Sequence, residues 1–222
     1  MFNLIVKDIL IQKKTLLYAL LYTVFLSITF SSLKPSGVGL YILAPIITAY
    51  MFINFAASFD EKNNSEIILN SLPLKRDDIV IAKYISIFIF AIIGIIYSML
   101  IGFIGKATGL PMYTVSISFL NIVIIFSSVC IVSSIFFPMY FKFGYTKSII
   151  FNTILFMVIF FLPILAIDYS GSNPNNIFVQ KINYFISTTS SFTQNSLAII
   201  VGLIIFLLSL MFSLKIYNNK EF

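Results

Sequence analysis

The sequence predicts an all-α integral membrane protein with six transmembrane helices, organised as a single domain over residues 1–222. Three observations predict this fold class. Apolar residues make up 59% of the chain and charged residues only 10%, whereas a soluble domain carries roughly a quarter charged residues. Six apolar runs reach or approach the ~20 residues that a helix needs to cross a bilayer core. The polar stretches between them are too short for a separate soluble domain.

The first predicted element is an amphipathic segment over residues 1–14. Phe2 and Ile5 fall on one helical arc and Lys7 falls on the opposite arc, which is typical of a helix that lies in the membrane interface. The predicted spans follow it. They are residues 15–33, 38–59, 84–105, 115–141, 148–167 and 197–214.

Two of the connections between spans are long. Residues 60–83 form a polar segment between spans two and three, in which Ser65 is suited to cap a short helix, Pro73 to end it, and Asp77 to open the next helix. Residues 168–196 form the last outer loop, and its amphiphilic middle predicts a short external helix.

The distribution of basic residues predicts that both ends of the chain lie in the cytoplasm. Cytoplasmic flanks of membrane helices accumulate Lys and Arg, and this orientation puts eleven of the 14 basic residues inside. Only Lys34, Lys106 and Lys181 then remain outside, one in each outer loop. Topology therefore explains the net charge of +6 better than nucleic-acid binding does, because the basic residues form no patch with interleaved aromatics.

The composition also excludes several kinds of chemistry. The chain has no histidine, so neither a His–carboxylate metal site nor a Ser–His pair can be built. No predicted span has a carboxylate at its centre, although ion-coupled transporters and intramembrane hydrolases need such buried groups. We therefore predict a protein that is not an enzyme and binds no cofactor, metal or nucleic acid itself.

Polar side chains inside the first two spans recur at helical spacing. Thr23 and Ser27 lie one turn apart in the first span, and Tyr50, Asn54 and Ser58 lie one turn apart in the second. Two interpretations are open. These side chains either line a substrate path or make the interhelical hydrogen bonds that membrane helices use routinely.

Small residues recur every four positions in the third span, at Gly94, Ser98 and Gly102. This spacing lets two helix backbones approach closely, so it predicts helix packing.

The most specific signal lies between Asn70 and Tyr84, where the chain reads NSLPLKRDDIVIAKY. With the preceding acidic pair Asp60 and Glu61, this segment resembles the cytoplasmic loop of the small ABC-2-type transporter permeases of Gram-positive bacteria. That loop commonly reads Ser-Leu-Pro, an aliphatic residue, Ser or Thr, then Arg, with Ile-Val and a Lys before the third helix. This chain departs from the pattern at Lys75, where the family has Ser or Thr. The six spans, the interfacial helix and the long outer loop also fit the resemblance.

The resemblance implies a membrane subunit without catalytic residues, in the plasma membrane of a bacterium. It implies a dimer with a second copy or a paralogue, driven by two cytoplasmic ABC ATPase subunits that bind the ATP and Mg²⁺. The loop between spans two and three would act as a coupling helix seated on the ATPase. The ATPase-docking residues that it implies are Glu66, Leu69, Leu72, Pro73, Lys75 and Arg76.

The leading hypothesis is thus the permease subunit of an ABC exporter. Similar small permeases move antimicrobial or amphipathic peptides, such as bacteriocins and phenol-soluble modulins, and also drugs and ions; a chain with 25 Phe and 12 Tyr suits an amphipathic or apolar cargo. One alternative is the substrate-binding membrane subunit of an energy-coupling-factor importer, although such subunits dock through small-residue faces of their membrane helices. A membrane enzyme or a channel-like protein is the remaining alternative.

Overall fold

The computed structural model describes residues 2–32, 39–108, 119–172 and 176–220. Within these ranges the secondary structure is helical and contains no strand, which confirms the predicted all-α class. The helices are α1 (Phe2–Ile11), α2 (Lys13–Ser32), α3 (Gly39–Lys62), α4 (Ser65–Ser71), α5 (Arg76–Thr108), α6 (Phe119–Phe143), α7 (Tyr145–Ser172), α8 (Ile177–Thr188) and α9 (Ser191–Asn218).

Four of the described helices are long and apolar enough to cross a membrane. They lie at Leu43–Lys62, Arg76–Thr108, Asn121–Phe143 and Asn195–Asn218. These are the predicted second, third, fourth and sixth spans. Helices α2 and α7 occupy the positions of the predicted first and fifth spans, and their crossing of the membrane stays a prediction.

Several helices extend beyond the apolar runs that predicted them. Helix α5 begins at Arg76 rather than at residue 84, and α7 continues to Ser172, inside the predicted outer loop of residues 168–196. Helix α9 begins at Ser191, within the same predicted loop. The helices are longer than the predicted spans because hydropathy measures the thickness of the hydrocarbon, whereas backbone hydrogen bonding continues a helix into its polar flank. The bounds of the spans and of the outer loop stay predictions.

Short helices lie where amphiphilic segments predicted them, as α1 and α8. The face that α1 turns toward the bundle differs from the predicted apolar arc. Ile5 and Asp8 are buried, whereas Phe2 is 75% exposed. Asp8 pairs with Lys83 of α5. Because a buried carboxylate is costly without a partner, this ion pair sets which face of α1 packs on the bundle, rather than the apolar arc.

The core of the bundle lies where α3, α5, α6 and α9 meet. Helices α3 and α5 approach so closely that a Cβ at Gly94 would lie 2.7 Å from the backbone oxygen of Pro45. Only glycine permits this approach. Ser98 and Gly102 are buried on the same helix, which confirms the packing role predicted for the small-residue stripe.

Candidate functional site

The segment that joins α3 to α5 is a compact surface feature, which we call the α3–α5 connection (residues 63–75). Asn64 has a φ of 48°, a left-handed conformation that asparagine tolerates better than most residues. It occupies the N-cap of α4 without a side-chain cap hydrogen bond, so the capping role predicted for Ser65 is wrong. The helix ends at Ser71, before Pro73, and α5 then opens with Asp77 in its first turn as predicted.

The apolar side chains of the connection divide between core and surface. Leu69 is buried and belongs to the core cluster, so its side chain points into the bundle. Ile67, Ile68 and Leu72 are 62%, 57% and 49% exposed, and Pro73 is exposed beside them. The apolar surface of α4 and its C-cap therefore consists of Ile67, Ile68 and Leu72. Of these three, only Leu72 was among the predicted docking residues.

The charged side chains of the connection lie near the end of α9. The Glu66 carboxylate pairs with the Lys220 ammonium at 2.7 Å. The Arg76 guanidinium donates to the backbone oxygens of Asn218, at 2.9 Å, and Lys220, at 3.1 Å. Lys75 is exposed. Two of the three charged residues predicted to dock thus bind the C-terminal end of the chain.

Four charged side chains meet at one end of the bundle, beneath the start of the connection; we call them the charged cluster. Lys83 of α5 pairs with Asp8 of α1 at 2.8 Å and also with Asp60 of α3. Lys7 pairs with Asp60 at 2.8 Å and with Asp8 at 3.4 Å. Two acids and two bases balance one another, so the cluster carries no net charge. It joins α1, α3 and α5.

Sequence reasoning did not find the charged cluster. Each member is adjacent to a predicted span boundary or belongs to the amphipathic segment, and such positions are typical of solvated charges. A usable signal was present in Asp8 and Lys83, because both occur on helix faces that are otherwise apolar. A charge on an apolar face is costly unless it is paired.

A second polar group lies between α3 and α7, around a cavity of about 230 Å³ whose lining includes Tyr50, Asn54, Tyr145 and Asn152. We call it the amide cavity. The Asn54 amide nitrogen donates to the backbone oxygen of Tyr50 at 2.9 Å, and the Asn152 amide nitrogen donates to the Asn54 side-chain oxygen. Asn152 is 3% exposed, and its Oδ1 has no hydrogen-bond partner among the described residues. The cavity is therefore lined by amide and aromatic side chains, and one buried amide oxygen beside it lacks a hydrogen-bond partner among the described residues.

The five residues predicted to line a path lie in different surroundings, and their role in a path stays a prediction. Tyr50 and Asn54 line the amide cavity, and Ser58 lies near Tyr145, which lines the same cavity. Thr23 is buried and lies 3.3 Å from the Thr48 hydroxyl of α3, which is the interhelical bonding given as the other interpretation. The side chain of Ser27 lies outside the described residues.

Comparison with known proteins gives one result that covers nearly the whole chain. A family model described as "ABC-2 family transporter protein" matches residues 3–218. No curated protein and no solved structure matches the chain. The matched residues span every helix of the described fold.

Proposed function

Because the chain belongs to the ABC-2 transporter family, we propose that it is the permease subunit of an ATP-driven exporter. Its cargo is amphipathic peptides or other hydrophobic compounds. The observation that carries the proposal is the exposed apolar surface of α4, formed by Ile67, Ile68 and Leu72. Such a surface on a short helix outside the spans fits an apolar cleft on a partner protein better than it fits water.

In the proposed topology, six helices cross the plasma membrane of a bacterium and both ends of the chain are cytoplasmic. Helices α2 and α7 contribute the two further spans, with 20 and 28 residues. At 1.5 Å per residue these lengths are about 30 and 42 Å, enough for a hydrocarbon core of ~30 Å. The basic flanks set the orientation.

The energy comes from partner chains. Two identical or related permeases form a dimer. Two cytoplasmic ATPases bind ATP and Mg²⁺, and each ATPase binds α4 of one permease. Closure of the ATPases moves α4, and this movement tilts the attached spans and changes which side the path opens to. The buried charged cluster supports this role because it joins α1, α3 and α5 beneath the docking surface.

The amide cavity is the proposed contact point for cargo. Its lining is uncharged and combines aromatic rings with amides, including Tyr50, Tyr145 and Asn152. Amide and hydroxyl groups such as those of Asn54 and Tyr145 can hydrogen-bond to a peptide backbone, and the rings can pack against apolar side chains. This chemistry supports an amphipathic peptide more than an ion.

Co-purification tests the docking surface. Replacing both exposed isoleucines of α4, Ile67→Asp with Ile68→Asp, removes apolar anchors without touching the core. We expect retention of the ATPase by tagged permease to fall about tenfold or more, because buried apolar anchors dominate interface affinity.

The matched control is Phe2→Asp with Leu10→Asp, which changes two exposed apolar residues of α1 in the same way. We expect this variant to retain the ATPase as the wild-type protein does. Equal retention by the α4 variant and the wild-type protein would refute docking through α4.

Cysteine labelling tests the orientation. The one native cysteine, Cys130, is buried, so Ser71→Cys on the exposed side of α4 provides a new reactive thiol. An impermeant maleimide is expected to label it in permeabilised cells and not in intact cells. Labelling in intact cells would show that α4 lies on the outer side of the membrane, and it would refute docking of α4 to a cytoplasmic ATPase.

The alternative of an energy-coupling-factor subunit finds no support in the helix packing. Its docking would need an accessible small-residue face. Gly94, Ser98 and Gly102 are instead buried, with Gly94 against the Pro45 carbonyl.

A further inference from the structure

We infer that the C-terminal end of the chain, residues 217–220, is a positioning element for the α3–α5 connection; we call it the C-terminal clamp. First, the clamp holds α4 and the start of α5 in one orientation. Second, it transmits the movement of α4 to α9. The second part of this inference rests on the proposed function, whereas the first part does not.

Two contacts of the clamp hold α4. The Lys220 ammonium pairs with the Glu66 carboxylate at 2.7 Å, and the Asn70 amide nitrogen donates to the Tyr217 hydroxyl at 3.0 Å. Glu66 and Asn70 are one helical turn apart, on the side of α4 that faces the bundle. The clamp therefore leaves the exposed side of α4 clear for a partner.

Further contacts of the clamp hold the start of α5. Arg76 donates to the backbone oxygens of Asn218 and Lys220. The first is one of the carbonyl groups that a helix leaves without partners at its C-terminus. The Asn218 amide nitrogen donates to the Asp77 carboxylate at 2.7 Å. Both ends of the short segment between α4 and α5 are thus bound to three residues of the clamp, Tyr217, Asn218 and Lys220.

Helix α9 is itself fixed to the bundle. The Tyr84 hydroxyl of α5 lies 2.6 Å from the Ser209 hydroxyl and 2.8 Å from the Ser213 hydroxyl. Ser209 donates to the backbone oxygen of Ser134 on α6 at 2.5 Å. The Tyr217 ring packs edge-on against Phe141 of α6. A displacement of α4 is therefore transmitted through α9 to α5 and α6.

The clamp is suited to orient the connection rather than to hold the fold together. Its ionic contact is partly exposed, with side-chain exposures of 26% for Lys220 and 38% for Glu66, and such pairs contribute little to the stability of a fold. Together the contacts still select one orientation of the connection, because two of them bind α4 and three bind the start of α5.

Hydrogen–deuterium exchange of the full-length permease in detergent tests the clamp without any partner. Lys220→Glu and Glu66→Lys each put like charges together, and we expect each to speed exchange over residues 65–78 by about fivefold. The double variant Glu66→Lys with Lys220→Glu restores the pair in reverse and is expected to restore slow exchange. A purely structural defect at either position would not be rescued in this way.

The matched control is Lys215→Glu, an exposed lysine in the last turn of α9, which is expected to leave exchange over residues 65–78 unchanged. Wild-type exchange in both single variants, or no rescue in the double variant, would overturn the clamp.

A second measurement tests whether movement passes into α9. In complexes isolated with their ATPase, addition of a non-hydrolysable ATP analogue is expected to change exchange over residues 209–217. The change is expected to be lost in Lys220→Glu and regained in the double variant. A change that persists in Lys220→Glu would refute transmission through the clamp. If wild-type permease retained no ATPase, the proposed function would fail, while the partner-free experiment would still decide the clamp.

Discussion

Two groups of charged side chains flank the α3–α5 connection, and they differ mainly in burial. In the charged cluster, the side chains of Asp8 and Lys83 are 4% and 8% exposed. In the C-terminal clamp, Glu66 and Lys220 are 38% and 26% exposed. Asp8 or Lys83 loses its partner without gaining water, whereas Glu66 or Lys220 is solvated when the pair opens. Similar ion pairs therefore have different roles: the buried group holds helices together, and the exposed group orients a surface segment.

The largest expected effect is that of Lys83→Met. Without the ammonium, the carboxylates of Asp8 and Asp60 stay buried and repel one another, with only Lys7 nearby. We expect the free energy of unfolding to fall by about 3–5 kcal/mol. A thiol-reactive dye that reports exposure of the buried Cys130 measures the thermal midpoint in detergent.

The control for this variant is Lys75→Met, which removes an exposed lysine from the connection and is expected to leave the midpoint unchanged. If Lys83→Met melted like the wild-type protein, as Lys75→Met is expected to do, burial would not distinguish Lys83 from an exposed lysine.

A smaller loss is expected for Asp8→Asn, because Lys83 keeps its pair with Asp60. The free energy of unfolding is expected to fall by about 1.5–3 kcal/mol, the usual contribution of a hydrogen bond to a charged group. Combined with Lys83→Met, it is expected to cost less than the sum of the two single effects, because both changes break one ion pair. Strict additivity in this double-mutant cycle would argue against direct coupling.

In the clamp, Tyr217→Phe is expected to have a modest effect. The variant removes the hydroxyl that accepts from Asn70 and keeps the ring packed against Phe141. We expect a loss of about 0.5–1.5 kcal/mol in the free energy of unfolding, read from the same dye assay. A loss as large as that of Lys83→Met would mean that the clamp, too, holds the fold.

The smallest effect is expected for Lys220→Ala, below about 1 kcal/mol, because exposed ion pairs contribute little. High salt is expected to reduce the difference from the wild-type midpoint further, since screening weakens exposed pairs most. A difference that is large and independent of salt would contradict the surface character of this pair.

Prediction from sequence was accurate where the signal is local. The apolar runs located the long helices, and Asp77 in the first turn of α5 was predicted from its position after Pro73. The direction in which side chains face was not predictable in the same way. Leu69, a predicted docking residue, belongs to the core cluster, while Ile67, which was not in the predicted set, is 62% exposed. The docking roles themselves stay predictions. A helix of seven residues has too few turns for its apolar pattern to distinguish these two orientations.

The sequence by itself determined that the chain is helical, where its long helices lie and which flanks are basic, because hydropathy and charge are properties of consecutive residues. Only the tertiary structure decided that Asp8 meets Lys83 and that Lys220 meets Glu66. These partners lie far apart in the chain, and their meeting depends on how the helices pack. The close approach of α3 and α5 at Gly94 is one contact of that packing, and no single segment contains it.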